Sequence, residues 1–392
     1  MQSQTCLNSA ERAGLRPKGN VPTLRFPEFD GEWHKDRIRN LFTMNVGGDI
    51  DKANVSNIQT DEFKYPVIAN ALSHDGIYGY TSEYKDDSPC ITVTGRGDVG
   101  CAKYRDYPLF PIVRLLVLHS KGKIDCRFGE HAINSIKKYE ESTGVPQLTA
   151  PQLGAYSISF PNLTEQAKIG AFLKLIDERI STQIRIIEEL KLLRNTLMFK
   201  LLTPKDKWLK LSIGDVAHVI GGGTPNTNVE DYWNGNIQWF TPSEIGKEKY
   251  VTRSERTLTQ KGLDNSSAKL LPQNTILLST RATIGECSIA KQECCTNQGF
   301  QSLIANNVTP EFLYYLIQTK KKDLLSKASG STFAEISANE VRKIHICIPG
   351  TQEEQKAIVQ PLSAYDEKIE TECKILYLYE LQKQYLLGQM FI

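Results

Sequence analysis

The sequence predicts an α+β protein in which two mixed α/β domains are separated by a long antiparallel two-helix coiled coil, the halves forming a pseudo-two-fold internal repeat. Three observations predict it. The chain has 392 residues, more than one hydrophobic core usually serves. Landmarks recur in the same order in both halves. Two stretches, one central and one C-terminal, carry apolar residues at coiled-coil spacing.

The composition leaves room for a true core, with 40% hydrophobic residues. No uncharged apolar run is long enough for a membrane span, and the polar opening Met1 to Asn20 lacks a secretory pattern, so a soluble cytoplasmic protein with a flexible tail over residues 1–20 is expected. The nine cysteines are odd in number and scattered. Apart from adjacent Cys294 and Cys295 they show no metal-ligand spacing, and no histidine lies near that pair, so reduced structural thiols are expected and no metal site. A net charge of +2 neither demands nor forbids a nucleic-acid partner.

Each half opens on a tryptophan and an amphipathic stretch, Trp33, Ile38 and Leu41 matching Trp208, Ile213 and Val216. Further on, Ile91-Thr92-Val93-Thr94-Gly95-Arg96-Gly97-Asp98-Val99-Gly100 aligns with Ile276-Leu277-Leu278-Ser279-Thr280-Arg281-Ala282-Thr283-Ile284-Gly285, a strand entering an arginine-bearing turn that ends in glycine. A helix start then recurs. Asn162 stands three residues before Glu165, and Thr351 three before Glu354, the spacing of a capping box. Behind these caps, Leu173, Ile176, Ile180, Ile184 and Ile187 form one predicted seam, and Leu362, Tyr365, Ile369, Cys373 and Leu376 the other. The first helix should run from about Thr164 to Leu202, where Thr203-Pro204 stops it, and span roughly 50 Å or more at about 1.5 Å per residue. Pro361 is expected to interrupt or kink the second.

Because the second domain begins just after the first helix ends, the second helix can bury its stripe against the first only by running back antiparallel. The expected segments are 1–20 (tail), 21–160 (first domain), 161–203 (central helix), 204–348 (second domain) and 349–392 (C-terminal helix). Two similar domains on a stiff spacer suit a target with two separated halves, for which duplex DNA is the obvious candidate. The copies differ strongly outside their landmarks, so an asymmetric bipartite site is expected.

Several segments carry a family resemblance. Val21-Pro22-Thr23-Leu24-Arg25-Phe26-Pro27-Glu28-Phe29-Asp30-Gly31-Glu32-Trp33 resembles the opening of type I restriction-modification specificity subunits. Gly222-Gly223-Thr224-Pro225, Ile237-Gln238-Trp239-Phe240-Thr241-Pro242, Ser279 to Gly285 and Thr296-Asn297-Gln298-Gly299-Phe300 resemble that family's second target recognition domain. The resemblance implies two target recognition domains on helical spacers. It implies double-stranded DNA and two adenine methyltransferase subunits as partners and, in the full nuclease, two ATP-dependent restriction subunits. S-adenosylmethionine, ATP and magnesium would sit on those partners, with no cofactor in this chain. The first domain departs from the pattern, lacking Gly-Gly-Thr-Pro and Trp-x-Thr-Pro and carrying Gly76-Ile77-Tyr78-Gly79-Tyr80-Thr81 instead.

The enzyme alternatives find little support. Gly95 to Gly100 satisfies G-x-G-x-x-G, but Pro108 and Pro111 follow where a helix N-terminus should face a phosphate, and a structural turn is the better reading. Gly221-Gly222-Gly223-Thr224 lacks a phosphate-loop lysine. No adenine-methyltransferase Pro-Pro-Tyr element occurs and the six histidines are dispersed, so no nucleophile, base and orienter can be nominated together. A self-contained DNA-modifying enzyme and a protein-binding scaffold stay as rival readings.

For DNA contacts the candidates are Thr94 and Arg96 in the first turn, Thr280 and Arg281 in the matching one, and Thr224. The arginines suit guanine or phosphate, or else satisfy their own turns. Lys103 and Arg105, with Lys247, Lys249, Arg253 and Arg256, are candidate phosphate contacts or solvated surface. Asn297, Gln298 and Gln301 carry amides suited to adenine, or to a buried network. Lys320-Lys321-Lys322 reads as a solvated helix face.

Overall fold

The amphipathic stretch after each tryptophan folds into a short strand and one helical turn, and this motif opens each of two units in a computed structural model. The structure describes residues 19–136, 147–328 and 335–392. Unit 1 comprises Met1–Ile184 and Ile375–Ile392, and unit 2 Arg185–Lys374. The expected tail lies outside the described residues except for Gly19 and Asn20, and Asn20 is held, its carbonyl accepting from the Trp33 N–H at 2.7 Å.

Unit 1 contains β1 (His34–Arg37), α1 (Ile38–Leu41), β2 (Phe42–Val46), β3 (Tyr65–Ile68), β4 (Ile77–Thr81), β5 (Cys90–Val93), β6 (Ala102–Arg105), β7 (Phe110–Pro111), β8 (Leu116–Ser120), α2 (Cys126–Asn134), α3 (Ala150–Ala155) and β9 (Ser157–Phe160), and then enters α4 (Leu163–Leu201). One antiparallel sheet has the order β2-β8-β5-β6, a second the order β4-β3-β7 with β3 and β7 parallel, and β1 pairs with β9. Strand β5 is buried on both faces, so its run Cys90-Ile91-Thr92-Val93 does not alternate. Trp33, Ile38, Phe42, Ile91, Leu118, Phe128 and Leu173 form the core, joined by Leu386 and Met390 from the chain's end.

Unit 2 contains β10 (Leu209–Ser212), α5 (Ile213–Val216), β11 (Ala217–Gly221), β12 (Trp233–Phe240), β13 (Tyr250–Val251), β14 (Arg256–Leu258), α6 (Gln260–Asp264), β15 (Ile276–Leu278), β16 (Cys287–Ala290), β17 (Cys294–Thr296), β18 (Gln301–Ala305), α7 (Pro310–Thr319), α8 (Lys321–Lys327), α9 (Ala338–Arg342) and β19 (His345–Ile348), followed by α10 (Gln352–Met390). Its sheets repeat those of unit 1. The order β11-β18-β15-β16 matches β2-β8-β5-β6, with β13 added at the edge, and β14-β12-β17 matches β4-β3-β7, again with one parallel pair. The pair β10–β19 matches β1–β9.

Each domain is tied to its long helix by the same device. Gln166, fully buried, accepts from the Asp125 N–H at 2.9 Å and donates to the carbonyls of Lys123 and Pro161 at 3.1 and 2.7 Å. Asp125 caps α2 by accepting from the Arg127 and Phe128 N–H groups. At the same place in unit 2, buried Gln355 accepts from the N–H of Thr309, the cap of α7, at 3.0 Å. Both glutamines stand four residues after a helix cap, Asn162 and Thr351, each of which accepts the expected bond three residues on. Glu165 does not reach back as a capping box would. It takes a bidentate pair from Arg25, both bonds 2.7 Å, which fastens the opening segment to the helix.

The seams need correction by one position. Leu173 and Leu362 are fully buried, Ile187 is buried, and Ile176, Ile180, Tyr365, Ile369 and Leu376 are half-buried, but Ile184 and Cys373 are exposed. The buried positions there are Gln183 and Glu372, one residue earlier in each copy. This restores a strict alternation of three and four, and a polar side chain occupies the place that the apolar pattern hid. Within unit 1 the two helical segments run antiparallel, with Lys383 paired to Asp177 and the Arg179 guanidinium 5.4 Å from the Tyr379 ring centre. Within unit 2, Arg194 Nε donates to Asp366 at 3.0 Å, and Met198, Leu202, Ile358 and Leu362 share one core. Pro361 does not interrupt α10, which spans 39 residues with the proline inside it.

Candidate nucleic-acid interface

Four loops converge in each unit, and several of the backbone bonds that join them recur in both. In unit 1 the segment after β2 begins Gly47-Gly48 and lies against the β7–β8 loop. Val113 N–H donates to Gly48 O at 2.9 Å, Arg114 N–H to Gly47 O at 2.8 Å, and Gly47 N–H to Leu115 O at 2.7 Å. Ile112 N–H donates to Ile68 O at the end of β3, at 2.9 Å. Asn70 accepts from Gly95 N–H at 2.7 Å and donates to Val113 O. In the β5–β6 turn Gly100 N–H donates to Thr94 O at 2.7 Å, and Leu148 N–H to Gly95 O at 2.9 Å.

In unit 2 the segment after β11 is Gly222-Gly223, and Gly223 N–H donates to Thr296 O at 2.8 Å. Asn297 N–H donates to Phe240 O at 3.1 Å, as Ile112 does to Ile68. The β15–β16 turn repeats both bonds of the β5–β6 turn, with Gly285 N–H to Ser279 O at 3.0 Å and Ile336 N–H to Thr280 O at 3.3 Å. The first glycine of each pair is required by contact. A Cβ on Gly222 would lie 2.0 Å from Asn297 O, and one on Gly47 2.8 Å from Ile112 N. Unit 1 lacks the Gly-Gly-Thr-Pro element, as the sequence showed, but it has a Gly-Gly step at the equivalent place and diverges in the two residues after it.

The loop tips differ in chemistry. Unit 2 presents Gln298, exposed, accepting from the Thr224 hydroxyl at 2.5 Å. Asn297 turns inward and accepts from Gly299 N–H at 2.8 Å, and Gln301 Oε1 is buried without a bonding partner among the described residues. At the corresponding place unit 1 presents Val113 and Arg114, both exposed, beside exposed Asp49. Nothing local in the sequence singled these out.

The predicted arginines do occupy equivalent turns. Arg96 is half-exposed and pairs through its backbone with Gln147, while half-exposed Arg281 donates to Glu335 at 2.6 Å. Lys247, Arg253 and Arg256 are exposed, and the Arg256 guanidinium stacks 3.5 Å from the Trp233 ring centre. Other candidates are buried or already paired. Thr94 and Thr280 are buried, the Thr280 hydroxyl donating to Gly299 O at 3.2 Å. Arg105 is buried, its donors taken by Asp75 at 2.7 Å, Tyr107 at 2.7 Å and Thr92 at 3.1 Å, and exposed Lys103 pairs with the same Asp75. Lys249 donates to Tyr315 at 3.0 Å and Ser363 at 2.8 Å, and its burial lowers its pKa. Thr94, Thr280, Arg105 and Lys249 stabilise the scaffold from inside, whereas Lys103 stays on the surface.

Burial pushes the Cys294 thiol up to about 12 and Cys295 to about 11, which keeps both protonated. Among the described residues no histidine, cysteine, aspartate and glutamate cluster could hold a metal ion, and no helix is long and apolar enough to cross a membrane.

Each unit is thus a binding-type module, one mixed α/β domain with a four-loop tip that is fixed to a long helix by a buried glutamine. A family model described as the type I restriction modification DNA specificity domain matches residues 30–192 and 205–377, one match in each half, and the chain belongs to that family. It is 40% identical over 176 residues to the MjaIX specificity subunit of Methanocaldococcus jannaschii, covering 44% of this chain and 40% of that one. It is 29% identical over 163 residues to the EcoR124I/EcoR124II specificity subunit of Escherichia coli, covering 40% of each chain. The alignments thus span well under two thirds of these relatives. The fold is shared with the crystal structure of a type I restriction-modification S subunit from M. genitalium, at TM-score 0.64 and 18% identity, over 95% of this chain and 99% of that one.

Proposed function

We propose that this chain is a non-catalytic specificity subunit that reads an asymmetric, bipartite DNA target and directs adenine methylation and restriction by partner subunits. The observation that carries the reading is the four-loop tip built twice on one backbone plan with different exposed side chains, Gln298 (bonded to half-buried Thr224) in one unit and Val113 and Arg114 in the other. A shared scaffold with unlike tips suits two unlike half-sites. Exposed cations such as Arg253 and stacked Arg256 hold phosphates and set register, while the tips discriminate base edges. The helices act as an antiparallel spacer that sets the unspecified gap. The domain boundaries at 20, 160, 203 and 348 separate the tail, readers and spacer.

Two methyltransferase subunits and, in the nuclease form, two restriction subunits dock on the helical regions. Large apolar side chains stand exposed there, Tyr377, Leu378 and Tyr385 in unit 1 and Leu192, Leu193 and Phe199 in unit 2. S-adenosylmethionine, ATP and magnesium belong to those partners, and the assembly works in the cytoplasm. Sequencing modified adenines in cells with and without this chain tests the reading. Loss of methylation at one interrupted motif is expected, and an unchanged methylome would refute it.

A further inference from the structure

The β7–β8 loop of unit 1 takes a backbone that its residues disfavour. Val113 and Arg114 have φ of +52° and +61°, consecutive left-handed positions that β-branched residues rarely adopt. The equivalent loop of unit 2 has no positive φ at Asn297, Gln298 or Gly299, so the four-loop tip does not itself demand this conformation. The Val113 backbone is held on both sides, its N–H by Gly48 O at 2.9 Å and its carbonyl by the Asn70 amide.

The Val113 side chain does nothing comparable for the fold. It is 46% exposed, and it belongs to none of the hydrophobic clusters of its unit. Leu72, two residues beyond Asn70, is 56% exposed on the loop that anchors Val113. Glycine would satisfy the same backbone without strain. A rigid branched apolar group, strained and turned to solvent at a tip proposed to meet DNA, suits recognition better than folding.

Among the base edges of the major groove, the apolar feature is the C5-methyl of thymine. We infer that Val113 is the base-reading residue of unit 1 and selects thymine through that methyl group, with Arg114 beside it on a guanine or a phosphate. The inference rests on the DNA-reading function proposed above and adds the base class and the residue.

The test uses the full chain in complex with its methyltransferase partner, selecting from random duplex pools made with either thymine or uracil. The wild type should enrich thymine at one or more positions of one half-target. In the uracil pool that preference should fall about fourfold, the effect of one buried methyl group. Val113→Gly should abolish the preference at that position in both pools, leave the other half-target unchanged, and melt no lower than the wild type because its backbone is relaxed. Unaltered preference in Val113→Gly, equal use of uracil and thymine, or a melting point several degrees lower would overturn the inference while the two-part target survives. A pool with no enrichment, or with one uninterrupted motif, would overturn the DNA-reading proposal itself.

Discussion

Replacing Gln166 and Gln355 by leucine, one at a time, should weaken the two units unequally. Gln166 joins three buried backbone groups, the N–H of Asp125 and the carbonyls of Lys123 and Pro161, whereas Gln355 bonds one, the N–H of Thr309. Leucine fills the space and leaves those groups stranded. At about 1 kcal/mol or more for each lost buried bond, Gln166→Leu should cost about 3 kcal/mol and Gln355→Leu about 1 kcal/mol. Urea denaturation of the full chain, followed by tryptophan fluorescence, reads both, since Trp33 reports on unit 1 and Trp208, Trp233 and Trp239 on unit 2. Equal costs, or no cost for Gln166→Leu, would show that these glutamines do not seat the domains on their helices.

Other expectations follow from single contacts. Gly222→Ala puts a methyl group 2.0 Å from Asn297 O, so the second tip must shift, and selection on random duplexes should lose one half-target while keeping the other. Burial, with Lys383 nearby, lowers the His131 pKa to about 4, against which Asp177 acts more weakly. The folded protein binds fewer protons there than the unfolded chain, so this stability is complete above the unfolded pKa near 6.5 and is lost as pH falls towards 4, about 3 kcal/mol in all. Half-buried Glu130, whose pKa is raised mainly by desolvation, acts in the opposite sense, so the measurement is the pH profile of His131→Gln subtracted from that of the wild type. A flat difference between pH 7 and 4 would refute it. Deleting one heptad from each of α4 and α10 shortens a helical spacer by about 10 Å and should shorten the target's gap by about three base pairs, read by mapping modified adenines. An unchanged gap would count against the spacer.

Local signals made much of the fold legible. The recurring tryptophans, the arginine turns and the helix caps are short-range patterns, and each marks an equivalent element in both units. The seams were read one residue late at Ile184 and Cys373 because polar Gln183 and Glu372 occupy the buried positions, and an apolar pattern passes over a polar core residue. The equivalence of Gly47 to Gly222 was hidden because only that first glycine answers a steric need in both units, while the residues after it differ. Arg105 looked like a surface cation because its partner Asp75 stands thirty residues earlier, a contact made only by folding. Val113 gave no signal at all, since its left-handed backbone is imposed by Asn70 and Gly48 from other loops.

Sequencing the duplexes bound from a random pool by this chain with its methyltransferase partner tests the central claim most directly. Two short defined segments of unlike sequence, separated by a gap of fixed length, are predicted. A single continuous motif, or binding without sequence preference, would contradict a chain built as two readers.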